Sequence, residues 1–439
     1  MQPQALPGFR DFYPEEFAFR RHILETWRRV ARRYGFEEYD GPPLESLELY
    51  TAKSGEEIVG QLYTFADKAG REVALRPEMT PTLARMVAAR GKGLKKPIRW
   101  FSMPQLFRYE RQQRGRLREH FQLNCDLIGE SGPLGDAEII ALAIDVIRAF
   151  GLTEREVRVR TSDRRMLGVL LGELGLDERH QDLAWQFLDK IARGEAEGPR
   201  RKLLAAGATP AAVGRLEGLR EIRTWADLER EYPMAAGAGE PLHEVFGALE
   251  LMGLAAFLDL DLTVVRGLAY YTGVVFELFD AAGELRAICG GGRYDNLLQA
   301  VGGVDLPALG FGMGDVVLGE LLKERGLAPP YSVGLDVFLA AVTAEDLSVA
   351  LGLAHSLRDA GLRVEYPLGI TALGRQLKLA DARGARYALV IGPDDRARGE
   401  VVLRDLVTGA QRAVPLGAAA GEVQAAVDHD RRNPEPATV

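Results

Sequence analysis

The chain has 439 residues, 47% hydrophobic and 27% charged. This is an ordinary globular composition that leads us to expect two to four domains. No apolar run approaches the ~18 residues a membrane helix needs and the N-terminus lacks a basic-then-apolar signal, so membrane insertion and secretion are not expected and a cytoplasmic location is. Two cysteines, Cys125 and Cys289, exclude a disulfide framework or a four-thiolate zinc site, and a net charge of −8 excludes a uniformly basic coat for nucleic acid, though not a local basic surface.

In chain order, residues 15–34 predict an amphipathic helix: Ile23, Trp27, Val30 and Tyr34 share a stripe with Leu24 and Ala31, and Gly35 stops it. From about 58 to 130 the pattern changes to strands and tight turns. Residues 137–150 are helical again, and 155–250 are strongly helical and charged, broken at 205–208 and 235–239. Strand character returns at 262–279 and 285–288. A linker with Ala328-Pro329-Pro330 follows at 326–331. Beyond it come a strand at 335–341, a helix at 347–360 and a strand at 363–366. A helix at 373–383 and strands at 387–391 and 400–405 complete a small α/β domain with a mostly parallel or mixed sheet. Residues 428–439 are polar and contain proline, and so are expected to form a loose tail.

Chemistry concentrates in four stretches. In the first, Phe107–Asp126, a hairpin folding about Gly115 puts Arg108 and Glu110 on one face, and Gln122, Asn124 and Asp126 share a parity across it. Its loop carries Arg111, Arg114, Arg116 and Arg118. Such a mixture of cations, carboxylates and an amide is costly on a buried strand pair unless it meets a polar ligand. The second stretch, Val264-Val265-Arg266-Gly267-Leu268-Ala269-Tyr270-Tyr271-Thr272-Gly273, leads one arginine through a glycine into two tyrosines. The third, Cys289-Gly290-Gly291-Gly292-Arg293-Tyr294-Asp295, is a glycine-rich turn that admits close approach. The fourth, Leu75-Arg76-Pro77-Glu78-Met79-Thr80, reads as a strand ending in proline with Glu78 and Thr80 on one parity. Familiar alternatives are absent: there is no G-x-x-x-x-G-K-[ST] loop, no H-E-x-x-H and no G-x-S-x-G. Gly310-Phe311-Gly312-Met313-Gly314-Asp315 has aspartate where a dinucleotide fingerprint needs its third glycine.

These stretches, in this order, resemble the class II aminoacyl-tRNA synthetases and specifically the histidyl-tRNA synthetase family, from about residue 7 to 415. Phe107–Asp126 resembles the family's motif 2, and 265–272 and 291–295 its two histidine-specific motifs. Residues 76–80, Gly374-Arg375-Gln376-Leu377-Lys378 and 387–392 add to the likeness. The resemblance implies an α+β catalytic domain with an antiparallel sheet over 1–325, carrying a helical insertion at about 160–245. It also implies an anticodon-binding α/β domain over 331–425 and a homodimer formed through a motif near 34–45. The implied reaction joins L-histidine to tRNA(His) through a histidyl-adenylate, using ATP and Mg2+ and no resident protein metal site.

By the same resemblance Arg108 and Arg266 are catalytic, holding the α-phosphate. Glu78, Thr80 and Gln122 meet the α-ammonium of histidine and Asp126 with Tyr271 meets its ring, with Tyr270 in the same set. Glu110, Arg116, His120 and Phe121 join Arg108 around ATP, and Gln113, Arg114 and Arg118 reach tRNA. Three positions depart from the family pattern, at Val317, Ala269 and the order His120-Phe121, and all three concern the ATP subsite. The family's paralogue, a non-catalytic histidine-sensing regulatory subunit of ATP phosphoribosyltransferase, is the alternative. It is disfavoured by the domain after 331 and by retention of Arg108, Glu110, Arg116 and Arg266.

Overall fold

The computed structural model describes residues 4–51, 60–91, 93–111, 113–191, 195–265, 270–331 and 334–432. The chain divides into two compact units, Met1–Pro329 and Pro330–Val439.

The first unit begins with the expected helix, Pro14–Arg33. Proline stands at its start, Glu15 and Glu16 lie in its first turn and Arg32 and Arg33 in its last, an arrangement that complements the helix dipole. Its apolar stripe, Ile23, Trp27, Val30 and Ala31, is buried. Pro133–Arg148 is apolar nearly all round and packs on the sheet. Among the described residues that sheet has nine strands. Six of them, Ile98–Ser102, Glu119–Ile128, Ala308–Gly314, Cys289–Arg293, Val274–Asp280 and Val157–Asp163, pair antiparallel in that spatial order. Parallel edges are added by Glu37–Glu38 and Leu258–Leu260. Gln105–Phe107 pairs with the first part of Glu119–Ile128. A separate small sheet joins Leu44–Ser46, Glu72–Leu75 and Tyr63–Ala66. Short helices run from Arg164–Glu173 to Glu240–Leu251.

Several expectations are corrected here. Thr80–Arg90 is a helix with Pro81 in its first turn, so Glu78 and Thr80 sit on a loop and a helix start, not on one strand face. The mostly helical reading of 155–250 missed strand Val157–Asp163, where Val157, Val159 and Thr161 are buried and alternate with Arg158 and Arg160. Of the strand character expected at 262–279, the part at 274–279 is strand Val274–Asp280, while 266–269 lie outside the described residues. Residues 285–288 are not a strand, and Leu258–Leu260 and Cys289–Arg293 are strands on either side of these stretches. The glycine run is thus a fully buried central strand, not a turn. A Cβ at Gly291 would stand 2.6 Å from Phe311 Cβ and 2.8 Å from the Phe276 ring, so glycine is what lets those aromatics fill the sheet face.

In the second unit Val364–Glu365, Val337–Ala341, Tyr387–Ile391, Glu400–Asp405 and Gln411–Pro415 form one sheet, parallel across the first three and antiparallel thereafter. Ala344–Asp359 opens with a Thr343/Asp346 capping box. Strand Gln411–Pro415 and helix Ala419–Arg432 were not anticipated, and the latter carries 428–432, expected as tail. Val423 and Val427 bury into the sheet and justify the helix.

Candidate active site

Strand Glu119–Ile128 carries the site. Gln122, Asn124 and Asp126, two apart and so on one face, line a cavity together with Glu78, Thr80, Arg108, Tyr270, Tyr271, Tyr294 and the backbone of Gly290 and Gly310–Gly312. All six side chains assigned by resemblance to histidine therefore stand around one space.

The shape of that space depends on missing side chains. Gly310 and Gly312 lie on the neighbouring strand, paired with Asp126 and Asn124. A Cβ on Gly310 would collide with the Asp126 carboxylate, and one on Gly312 would lie 2.8 Å from the Gln122 amide.

Asp126, with Glu78, is one of two buried carboxyls that line the cavity among the described residues. Burial pushes its carboxyl up to about 7, against the pull of the Tyr294 hydroxyl, which donates a hydrogen bond to Oδ1. The Tyr270 hydroxyl donates to Glu78 Oε2 at 3.4 Å, and its ring lies 5.0 Å from Tyr271 and 5.8 Å from Tyr294. Tyr294, Asn124 and the two glycines were not assigned to the site from sequence. Tyr294 lies inside the quoted Gly291–Asp295 stretch, and Asn124 shares the parity of Gln122 and Asp126, so the signal was present.

Arg108 is the only guanidinium lining the cavity among the described residues. Its Nε donates to the Pro77 carbonyl at 2.9 Å, which ties the hairpin to the loop bearing Glu78. Glu110 lies 4.0 Å from Arg108 and 2.5 Å from Arg116, forming a chain of charges that leads outward. The hairpin's axis differs from expectation. Phe107 faces Glu119 and Arg108 N–H donates to the Arg118 carbonyl, so 108 opposes 118, whereas a hairpin folded symmetrically about Gly115 would set it against 122. The ladder breaks at Arg108–Glu110, where Glu110 N–H turns back onto the Arg108 carbonyl, and resumes at Gln113 and Arg116 around Gly115, which has φ +72°.

The other assignments separate. His120 shares the parity of Gln122. Burial, with Arg108 and Arg10 nearby, holds its imidazole down to about 3, hence neutral. Phe121 has the opposite parity and packs on Phe12 and under the Arg20 guanidinium, so its assignment to ATP is corrected. Gln113 and Arg114 line a second cavity of about 270 Å³ with Arg286, Val317 and Glu320. Arg114 pairs with Glu320 and Glu324, Gln113 accepts from Arg286, and Arg118 stacks 4.3 Å over Tyr109, so these groups are drawn onto the protein itself. Arg266 and Ala269 lie outside the described residues.

The family model for histidyl-tRNA synthetase matches residues 8–314. The chain belongs to the histidyl-tRNA synthetase family. An anticodon binding domain matches 336–426. A histidine–tRNA ligase from Opitutus terrae is 48% identical over 421 residues, covering 94% of this chain and 96% of that protein. The chloroplastic/mitochondrial enzyme of that name from Arabidopsis thaliana is 40% identical over 412 residues, covering 93% and 84% respectively. Among solved structures, a histidyl-tRNA synthetase from a Nostoc species superposes with a TM-score of 0.80 at 26% identity, covering 97% of this chain and all of that one (100%). The family's class II catalytic architecture and its anticodon-binding domain account for the two units.

Proposed function

We propose that this chain is a histidine–tRNA ligase that activates L-histidine with ATP and transfers it to tRNA(His). The observation that carries the reading is the single cavity in which two carboxylates, two amides and three tyrosine rings stand beside Arg108. Attack of a carboxylate on a phosphate brings two anions together, so fixed positive charge is required where they meet. Arg108 supplies it, joined by Arg266 from its place in the sequence. Glu78, Thr80 and Gln122 suit an α-ammonium, while Asp126, Tyr271 and Tyr294 suit an imidazole. A pocket built on polar partners rejects wrong side chains because they leave those partners unpaired.

Glu110, Arg116 and His120 extend this set toward the nucleotide. No cluster of three or more His, Cys, Asp or Glu able to hold a metal occurs among the described residues. We assign Mg2+ to the ATP phosphates themselves, as that ion's preference for phosphate and water allows. The match of 336–426 to an anticodon binding domain supports tRNA as the acceptor and weighs against a regulatory subunit. A cytoplasmic homodimer belongs to the same proposal.

Purified protein is expected to catalyse histidine-dependent ATP–pyrophosphate exchange. A silent protein that still binds histidine would favour the regulator. The glycine at 312 gives a sharper test of where histidine sits. Overpacking a filled site costs about 1–3 kcal/mol, so Gly312→Ala should raise the KM for histidine by roughly tenfold or more. An unchanged KM in steady-state exchange would move the substrate away from Gln122.

A further inference from the structure

Residues 6–12 belong to no helix or strand, yet they lace the hairpin that carries the cavity strand. The Gly8 carbonyl accepts from Arg118 N–H at 3.0 Å, and the Phe9 ring lies 6.1 Å from Tyr63 and 6.4 Å from Phe107. Phe12 meets Phe121 at 6.4 Å. At the centre, Arg10 reaches Glu119 Oε1 through Nε at 2.6 Å and Asp315 Oδ2 through Nη1 at 3.0 Å.

Both acids are buried, with side chains 1% and 3% exposed. Each also holds the strand in another way. The second oxygen of Glu119 accepts from Gln105 Nε2 at 2.9 Å, and Asp315 Oδ1 accepts the Phe121 backbone N–H at 2.9 Å. One guanidinium thus joins strand Gln105–Phe107, strand Glu119–Ile128 and helix Asp315–Glu324. His120 lies between the two tied positions, and Gln122 follows on its face.

We infer that Arg10 is a positioning residue for the ligation reaction: it neutralises Glu119 and Asp315 and thereby fixes the strand at 119–122, setting His120 and Gln122 against ATP and histidine. This inference rests on the ligase reading above. Without Arg10 two buried carboxylates face each other, a costly arrangement that is relieved when one takes a proton or the strand moves away. The other charged or titratable groups around them are Arg20 from the first helix, which feels both carboxylates through space, and His120 and Arg108 on the hairpin. Arg20 is engaged over the rings of Phe12, Phe17 and Phe121 at 4.0–4.5 Å, so it does not take Arg10's place.

The test compares Arg10→Met and Arg10→Lys with wild type in pyrophosphate exchange at pH 6 and 8. The expected result is a KM for ATP raised at least tenfold in Arg10→Met at pH 8, with kcat less affected. That ratio to wild type should shrink at pH 6, where a proton substitutes for the missing cation, and Arg10→Lys should recover most of the loss. Adding Asp315→Asn to Arg10→Met, which removes one charge and keeps an acceptor for Phe121 N–H, should also recover it. An unchanged KM, or a loss equal at both pH values and equal in both single variants, overturns the role. Deuterium exchange of the 119–122 amides in unliganded protein, expected to be faster in Arg10→Met, reads positioning without catalysis. A wild type silent in pyrophosphate exchange overturns the ligase reading alone, whereas unchanged amide exchange in Arg10→Met overturns the positioning role alone.

Discussion

Arg108→Ala is expected to lower histidine-dependent ATP–pyrophosphate exchange by roughly 10²–10³-fold, the scale of losing one preorganised group that stabilises developing charge. The side chain is about a quarter exposed (26%) and gives up one hydrogen bond, to the Pro77 carbonyl. The stability cost is then about 1 kcal/mol, and thermal melting should show a shift of only a few degrees. Arg108→Lys keeps the charge but loses the planar fork and the Nε bond that anchors it, so it should fall between the two. Both variants should bind histidine nearly as well as wild type, because the groups facing imidazole and ammonium lie on other elements. If Arg108→Ala loses less than tenfold in kcat, the phosphate is held elsewhere, with Arg266 first to examine.

The parts of this site that were legible in the sequence are those governed by period-two alternation. Gln122, Asn124 and Asp126 had to share a face once 119–128 was a strand, and their polarity on a buried strand already implied a ligand. Likewise the strand–helix alternation after 331 reflects a sheet covered by helices, which demands apolar runs with polar breaks. Pairing was harder to read. The hairpin was centred on its glycine, but the ladder is interrupted between Arg108 and Glu110, and no side-chain pattern marks where a backbone turns on itself. Pro81 and Thr80 announced a helix start that the strand reading of 75–80 overrode, although proline in a first helical turn is a recognised signal.

The glycines misled most. The glycine-rich stretch at 289–295 predicts a turn because glycine has conformational freedom, but Cys289–Arg293 is a central strand, as is the glycine-bearing Ala308–Gly314 beside it. Their glycines serve volume, not flexibility: on one strand they leave room for Phe276 and Phe311, and on the other for the Asp126 carboxylate and the Gln122 amide. Such a requirement comes from the neighbouring strand and cannot be read along the chain. Arg293 shows the converse. It could have served the site as a cation, but its guanidinium is buried against Asp136, Asp295 and the carbonyls of Glu130 and Gly132, where it braces the sheet.

Asp126→Asn should separate stability from recognition. In the folded protein burial holds this carboxyl up to about 7, whereas an unfolded aspartate ionises near 3.9. The stability contributed by this group is therefore fully present below about pH 3.9 and is lost as the pH rises through about 7, because ionisation then leaves a buried charge. Asparagine does not titrate. The variant should thus melt higher than wild type at pH 8 by the equivalent of a few kcal/mol at most (~1.4 kcal/mol per pKa unit), and that advantage should shrink steadily toward pH 5. Histidine binding should move the other way. At pH 8, where the ligand ring is neutral, asparagine offers an amide N–H or an oxygen already engaged by Tyr294 in place of a free carboxylate oxygen, and affinity should fall by about 10² or more. Tyr294→Phe is the companion change. It removes the hydroxyl that favours the carboxylate, so the Asp126 carboxyl should titrate higher still and histidine affinity at pH 7 should drop while the fold is kept. Calorimetric titration with histidine and melting curves at pH 5 and 8 measure both effects. A stability gap independent of pH, or undiminished histidine affinity in Asp126→Asn, would remove Asp126 from the role of imidazole acceptor.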